Sequence, residues 1–240
     1  MIKIYPYENL GRANHGWLDA RHHFSFANYY NPQRMNFGTI IVINDDIIGA
    51  GTGFGTHPHN NMEIITYVRN GAITHKDSMG NIGKTEAGDI QVMSAGTGVF
   101  HSEHNLENED TKLYQIWITP NKKDVEPRWE AKKFPKTFVF SNSKLPVLVS
   151  GRIEDKDKNA LFIYSDSAIY AGNIKSGDKV ENNIKHQAYI LASNGSFTVN
   201  GVAMKKGDGA EIVGEKIIKI TAISDAEILI IDVPLIITLT

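Results

Sequence analysis

Residues 55–105 read GTHPHNNMEIITYVRNGAITHKDSMGNIGKTEAGDIQVMSAGTGVFHSEHN, and they contain the clearest structural signals in the chain. Short runs of β-branched and aromatic residues, such as 64–68, alternate here with turn-forming pairs such as Asn70-Gly71 and Gly88-Asp89. Such runs, punctuated by frequent glycine turns, are typical of antiparallel strands. A similar run follows at 113–118, and no long amphipathic helix pattern accompanies it. We therefore predict an all-β sandwich or barrel.

The second half of the chain repeats this plan. Residues 189–201, YILASNGSFTVNG, resemble residues 65–75, ITYVRNGAITH, because each segment has a strand, an Asn-Gly turn and a returning strand. Two similar β units in tandem account for the length of 240 residues. We expect the first unit at 1–130 and the second at 131–240. The Pro- and Lys-rich stretch 120–135 is predicted to be a connecting loop, with Trp129 packed on a neighbour.

Composition excludes several classes of protein. The chain has no cysteine, so disulfides, thiolate metal sites and cysteine nucleophiles are ruled out, and any metal must take nitrogen and oxygen ligands. Basic and acidic residues number 25 and 27, which leaves a net charge of -2 and no general attraction to nucleic acid or to an anionic membrane. The sequence shows neither a signal-peptide core nor a long apolar run, so we expect a cytoplasmic protein without a membrane segment.

Two short sequences carry potential metal ligands: His57-Pro-His59 and His101-Ser-Glu103. Residues two apart on a strand project from the same face, so each pair can point into one barrel interior. A lone His-x-His is more often incidental. Two such pairs, each after a glycine-rich segment (51–55 and 95–98), favour a metal site. Three imidazoles and a carboxylate suit a divalent first-row metal, and a six-coordinate ion would keep two positions open for other ligands.

The same stretch resembles the pirin family within the cupin superfamily. The first cupin motif is matched by Gly51, His57, His59 and Glu63, and the second is matched by Gly98, His101 and Asn105. The sequence HSE at 101–103 is characteristic of pirins, and the upstream stretch WLDARHHFSFANYYNP at 17–32 is similar to the same family. The resemblance covers nearly the whole chain and is strongest to a bacterial branch described as quercetin 2,3-dioxygenase-like. It implies a bicupin, with two tandem β-barrels of the double-stranded β-helix or jelly-roll type.

The resemblance also implies which residues bind the metal. Carried over position by position, the ligands are His57, His59, His101 and Glu103. Most cupins use the carboxylate at the position of Glu63, whereas pirins use the one two residues after the last histidine. Glu63 is then expected to support the site or the fold.

Other histidines and aromatic residues receive weaker predictions. We expect His22 and His23 to be packed or at the surface, with one of them near the barrel mouth, and we predict that Phe24 and Phe26 continue a strand. His75 is expected to be structural, and His104 should point away from the site. Candidates for an apolar wall around the metal are Phe54, Tyr67, Phe100 and Trp117.

The second barrel is predicted to be free of metal. Aligning Asn194-Gly195 with Asn70-Gly71 places Glu181 and Asn183 where His57 and His59 stand, and the later strand 217–222 contains no histidine or glutamate. This unit is expected to serve as structural support or as an interaction surface.

Two main functions follow from the resemblance. The first is a dioxygenase that opens flavonol rings of the quercetin type with dioxygen, with Glu103 as the catalytic base that removes the substrate hydroxyl proton. Fe(II) is the expected metal, although the ligand set also accepts Zn, Mn, Ni and Cu. The second is a non-enzymatic, redox-sensing regulator that binds a protein partner, without direct contact to nucleic acid. A third alternative is a sugar- or small-molecule-binding cupin without redox chemistry. We expect a monomer.

Overall fold

The computed structural model describes residues 1–134, 138–139 and 142–236, and these residues form mainly β-strands. Its strands, numbered along the chain, are β1 (Ile2–Tyr5), β2 (Gly11–Asn14), β3 (Leu18–His22), β4 (Ile40–Ile48), β5 (Gly53–His59), β6 (Glu63–Asn70), β7 (Ala72–Asp77), β8 (Ile82–Glu86), β9 (Ile90–Ser94), β10 (Val99–His104), β11 (Thr111–Ile118), β12 (Arg128–Lys132), β13 (Val147–Ser150), β14 (Leu161–Phe162), β15 (Ala168–Ile174), β16 (Lys179–Asn183), β17 (Gln187–Asn194), β18 (Ser196–Val199), β19 (Val202–Lys205), β20 (Gly209–Ile212), β21 (Ile217–Ala222) and β22 (Ala226–Val233). Single 3₁₀ turns occur at Tyr7–Asn9 and Ile153–Asp155. Among the described residues, no helix has the length and apolar character needed to cross a membrane.

The strands form two barrels with the same plan. In the first, a seven-stranded sheet of order β12-β9-β6-β11-β4-β3-β2 packs against a four-stranded sheet of order β5-β10-β7-β8. In the second, the orders are β1-β20-β17-β22-β15-β13-β14 and β16-β21-β18-β19. Strands β4 to β11 of the first barrel thus have counterparts in the second. The predicted all-β bicupin fold is confirmed.

Two Asn-Gly turns mark the repeat. Gly71 joins β6 to β7 at φ 74°, and Gly195 joins β17 to β18 at φ 71°. A side chain at Gly71 would press on Thr111, and one at Gly195 would overlap the carbonyl oxygen of Asp225. Glycine is required at both turns because the backbone is left-handed there and because a neighbouring strand lies close.

The two large sheets pack face to face, and this contact contains the largest apolar cluster around Tyr114 and Tyr189, which are fully buried. The first barrel contributes side chains from β4, β6, β9 and β11, and the second contributes side chains from β13, β15, β17 and β22. Polar groups close the edges of this interface, as where the Tyr67 hydroxyl donates a hydrogen bond of 2.6 Å to Glu227. The barrels are therefore joined by a true core rather than by a flexible tether.

β1 and β12 do not follow the predicted division of the chain into two units. β1 pairs with β20, with Ile2 opposite Ile212, so residues 2–5 extend the sheet of the second barrel although they were predicted with the first. The predicted boundary at 130/131 falls inside β12, which pairs with β9 of the first barrel. The division into two domains at that position stays a prediction.

The linker prediction needs correction. Residues 128–132 form a strand rather than a loop, because the outer edge of β9 offers backbone groups that need hydrogen-bond partners. Trp129 does pack on a neighbour, as expected. Pro135, the predicted end of the loop, lies outside the described residues.

The predicted strand through Phe24 and Phe26 is also wrong. β3 ends at His22, and the chain then turns back on itself with a bridge between Phe26 and Tyr29. The alternation in the sequence arises because Phe24 enters the apolar interface, whereas the Phe26 ring lies 5.5 Å from that of Trp117 in the first barrel.

Alanine in place of the glycine at each of the two Asn-Gly turns of the second barrel should distinguish the cost of backbone strain from the cost of steric overlap. Gly195→Ala meets the Asp225 carbonyl, whereas Gly201→Ala, at φ 86°, has open space around it. Gly201→Ala should cost about 1 kcal/mol for its left-handed backbone, and Gly195→Ala should cost about 1–3 kcal/mol more because it overpacks. Urea unfolding followed by tryptophan fluorescence measures both free energies. Equal losses would contradict the steric account.

Candidate metal centre

Three of the four predicted ligands converge inside the first barrel. β5 and β10 are antiparallel neighbours, and their pairing places His57 directly opposite His101. The ring centroids lie 4.4 Å apart for His57 and His101, 5.0 Å for His59 and His101, and 4.9 Å for His57 and His59. One ring nitrogen from each histidine lies within 4.8 Å of the other two. The i, i+2 spacing on β5 thus places both of its histidines on the same face of the sheet as His101.

The ring nitrogens of this trio are arranged as metal ligands are. Nδ1 of His57 donates a hydrogen bond of 2.7 Å to the Gly55 carbonyl, which leaves its Nε2 free. The Nε2 atoms of His59 and His101 are buried and have no hydrogen-bond partner. Buried polar atoms without partners cost free energy, and a cation shared by the three rings would supply the missing partner. The donor set therefore fits a divalent transition metal.

Two of the three histidines are held in the neutral form that a metal requires. Burial, and to a smaller extent the neighbouring His57, lowers the pKa of His59 to about 4. Burial and then the other imidazoles lower the pKa of His101 to about 3. Both rings consequently keep a lone pair available near neutral pH.

Glu103 lies beside this trio but is not part of it. Within the same distance it groups with His75 and His101, and the pairing of β10 with β5 is irregular beside it, because β5 has one extra residue between the partners of His101 and Glu103. Its assignment as the fourth ligand stays a prediction.

Polar side chains surround the carboxylate of Glu103. Its Oε1 accepts hydrogen bonds from Thr66 (3.1 Å) and Gln91 (2.6 Å), and its Oε2 accepts one from Gln115. A carboxylate has about four acceptor positions, so one remains on Oε2. Burial raises the pKa of Glu103 to about 7, and the hydrogen bonds from Thr66, Gln115 and Gln91 oppose that increase.

A pocket of about 200 Å³ opens above the histidines. Phe26, Phe54 and Trp117 form its aromatic wall. Of the predicted wall residues, Phe54 and Trp117 are therefore in place. Tyr67 instead lies in the interface between the barrels, and Phe100 is 55% exposed because it alternates on β10 with the inward-facing Val99 and His101.

The polar wall of the pocket was predicted only in part. His22 lies at this wall, as expected for one of the two adjacent histidines, and donates a hydrogen bond of 2.7 Å to Asn44, which was not predicted to lie there. Asp46 is two residues further along β4, with one carboxyl oxygen buried and unpartnered. Burial, then the neighbouring Asp45 and Glu103, raises the pKa of Asp46 well above its usual range. The i, i+2 spacing of Asn44 and Asp46 was the available signal, but the pairing of β4 with β3 and β11 could not be read from the sequence.

The remaining histidines and Glu63 occupy other positions. His23 is buried and hydrogen-bonds the Tyr189 hydroxyl at 3.0 Å, between the barrels. Glu63 accepts a hydrogen bond of 2.7 Å from Ser94 and does not line the pocket, and burial raises its pKa to about 7. His104 is half-buried on the other face of β10, as predicted.

His75 lies closer to the centre than predicted. It is fully buried, its Nδ1 lies 3.4 Å from Nδ1 of His101, and its Nε2 lies 2.9 Å from Asp77. The signal in the sequence was the inward alternation of Ile73, His75 and Asp77 on β7, the strand that pairs with β10.

The second barrel fills the equivalent space with apolar side chains. Its interior includes Ile218 and Ile220 on β21, the counterpart of β10. Glu181 and Asn183 are exposed, and Val180 and Asn182 point inward instead. The expected alignment is therefore off by one residue at β16, and a slip of one residue exchanges the two faces of a strand. The absence of a metal from this barrel stays a prediction.

Known proteins resemble this chain along its whole length. The family described as Pirin matches residues 5–118, and the one described as Quercetinase C-terminal cupin domain matches residues 147–233. A Pseudomonas aeruginosa protein, provisionally named a quercetin 2,3-dioxygenase, is 50% identical over 235 residues, which are 97% of this chain and 100% of that protein. The quercetin 2,3-dioxygenase of Escherichia coli K12 is 43% identical over 241 residues, covering 98% of this chain and 99% of its own length.

Solved structures agree with these relatives. The crystal structure of the bacterial pirin YhhW from Escherichia coli in complex with nickel(II) has a TM-score of 0.89 and 41% identity, and the match covers 98% of this chain and 100% of that one. Another structure of YhhW reaches a TM-score of 0.91. The chain belongs to the pirin family of the cupin superfamily.

Proposed function

We propose that this pirin is a metal-dependent dioxygenase that opens a flavonol-type ring with dioxygen. The observation that carries the proposal is the trio of imidazoles whose ring nitrogens converge at the base of an aromatic pocket. The names of relatives at 43–50% identity support the substrate class. His57, His59 and His101 would hold the ion, with Glu103 as the fourth ligand, and Fe(II) is the proposed metal. The ion would supply positive charge to bind substrate oxygens and to activate dioxygen.

The pocket suits one flat, oxygen-bearing ring. Its volume of about 200 Å³ is smaller than that of pockets which enclose a whole drug-sized ligand, about 300–1,000 Å³. The ring with the reacting hydroxyl and carbonyl would enter between Trp117 and Phe54, and the rest of the flavonol would lie at the mouth beside Phe26. The aromatic side chains would orient the ring and exclude water from it.

Glu103 is the proposed base. The one acceptor position left on its Oε2 would bind the ion before substrate enters, and it would take the substrate hydroxyl proton once the carboxylate is released from the ion. Gln91, Gln115 and Thr66 hold the carboxylate in place, so that it can take the hydroxyl proton without reorienting. On the opposite wall, Asp46 and Asn44 offer polar contacts to the substrate.

Two histidines of the same strand provide a matched test of the site. His101→Ala should abolish oxygen uptake with quercetin and lower the bound metal per chain, because it removes one of three nitrogen ligands. His104→Ala, on the other face of β10, should retain both. Oxygen-electrode assays and elemental analysis on protein loaded anaerobically with ferrous ion measure the two effects. Full activity of His101→Ala would refute the site.

Two buried glutamates provide a second test. Glu103→Gln should lower kcat about 10²-fold or more, because the amide cannot accept the substrate proton. Glu63→Gln removes a carboxylate with a similarly raised pKa of about 7, but outside the pocket, and should leave kcat unchanged. Steady-state oxygen consumption at saturating quercetin measures kcat for both.

Two results would contradict the proposed enzyme. Unchanged kcat in Glu103→Gln would exclude Glu103 as the base. The unaltered protein could also take up no oxygen with Fe, Mn, Ni or Cu and yet bind a protein partner in a metal-dependent way. That result would favour a regulator over an enzyme.

A further inference from the structure

A chain of three buried side chains leads away from the metal centre. His101 is 3% exposed, His75 is fully buried, and the side chain of Asp77 is fully buried. The Nδ1 atoms of His101 and His75 lie 3.4 Å apart, and Nε2 of His75 lies 2.9 Å from Oδ2 of Asp77. The chain runs from β10 to β7, which pair with each other.

The positions of the protons on His101 and His75 follow by elimination. Two facing Nδ1 atoms require one donor and one acceptor. A neutral imidazole that binds a metal through Nε2 carries its proton on Nδ1, so His101 is the donor and Nδ1 of His75 is the acceptor. The single proton of His75 is then on Nε2, where the carboxylate of Asp77 accepts it. Both nitrogens of His75 are thus engaged, which excludes it as a metal ligand while this chain is formed.

Asp77 is held rigidly as the terminal acceptor. Its Oδ1 accepts hydrogen bonds of 3.0 Å from the backbone N–H groups of Met79 and Asn81, and its Oδ2 accepts one of 2.9 Å from the Asn81 side chain. These donors fix the carboxylate in the tight turn after β7. The orientation of His75 is therefore set by the turn rather than by solvent.

β12, at the edge of the first barrel, supports the same histidine. The Trp129 ring on β12 stacks on His75 with centroids 4.8 Å apart and planes 7° from parallel. Gly83 on β8 makes room for it, because a side chain there would overlap the indole. The plane of the His75 ring is thus fixed from both its edge and its face.

We propose that Asp77 and His75 are positioning residues that set the tautomer and ring orientation of His101, with Trp129 as their support. This inference rests on the proposed metal centre. Metal-binding histidines commonly donate their second N–H to a carboxylate or carbonyl, and such partners strengthen binding. Here the carboxylate acts through an intervening imidazole.

Asp77→Asn is the most direct test. The amide nitrogen of the substituted side chain would donate to Nε2 of His75, which moves the His75 proton to Nδ1 and opposes it to the Nδ1–H of His101, an effect of the kind known for the triad aspartate of serine proteases. Affinity for nickel(II), measured by calorimetric titration, should fall about 10- to 100-fold. Long-range ¹H–¹⁵N spectra of the metal-free protein should show His101 protonated on Nδ1 in the unaltered chain and on Nε2 in Asp77→Asn.

Two substitutions of His75 distinguish positioning from packing. His75→Phe keeps the stack on Trp129 but removes the acceptor, so nickel(II) affinity should fall as in Asp77→Asn. His75→Gln offers a carbonyl to His101 and an amide N–H to Asp77, and it should restore most of the affinity. A second histidine–aspartate pair, in the second barrel, supplies the control. Nε2 of His186 lies 2.7 Å from Oδ2 of Asp166, and Asp166→Asn should leave nickel(II) binding unchanged.

The outcomes separate this inference from the metal centre itself. An unaltered protein that binds no nickel(II) would overturn both. If the unaltered protein binds nickel(II), and Asp77→Asn and His75→Phe bind it with equal affinity, the positioning role of Asp77 and His75 alone would be overturned. That role is also refuted if His101 of the unaltered, metal-free protein is protonated on Nε2.

Discussion

Three imidazoles held together inside a barrel, two of which have a buried nitrogen without a hydrogen-bond partner, impose the main constraint on this molecule. Such a cluster is costly in a protein interior without a cation, and it also removes apolar side chains from the place where a barrel usually has its core. The apolar side chains of the first barrel accordingly form two smaller clusters, one around Ile73 and Leu113 and one around Ile64 and Met93, with the pocket beside them.

The second barrel and the interface compensate for that loss. The second barrel is filled by a large apolar cluster around Phe197, Ile190 and Ile230. The interface buries still more apolar side chains from both large sheets. Because apolar burial contributes most of the favourable free energy of folding, a barrel whose interior holds a cluster of histidines can be stabilised by a neighbour with an apolar interior. The second barrel therefore has a physical role even if it binds nothing.

Local patterns in the sequence were enough to predict two tandem β units and the three histidines that converge. The spacing of His57 and His59, the HSE sequence and the repeated Asn-Gly turns all act over a few residues, where strand periodicity and left-handed glycine are decisive. Features that depend on distant strand pairing were not predicted. Asn44 and Asp46 look like ordinary polar residues until β4 is placed between β3 and β11. Glu181 and Asn183 were misplaced because a shift of one residue in β16 leaves no trace in the pattern of turns. The surroundings of Glu103 depend on an extra residue in β5 opposite β10, which the sequence does not reveal.

β1 lies at the edge of the second barrel and β12 at the edge of the first, and this arrangement has a consequence for synthesis on the ribosome. β1 is made first, but its partner β20 is made more than 200 residues later, as the pairing of Ile2 with Ile212 requires. At a translation rate of about 5–20 residues per second, the N-terminal strand must wait about ten seconds or more for its place in the sheet. β12, by contrast, leaves the ribosome shortly after β9 and can complete the metal-bearing barrel early. The nascent chain can thus assemble the site before its own first residues have found their position.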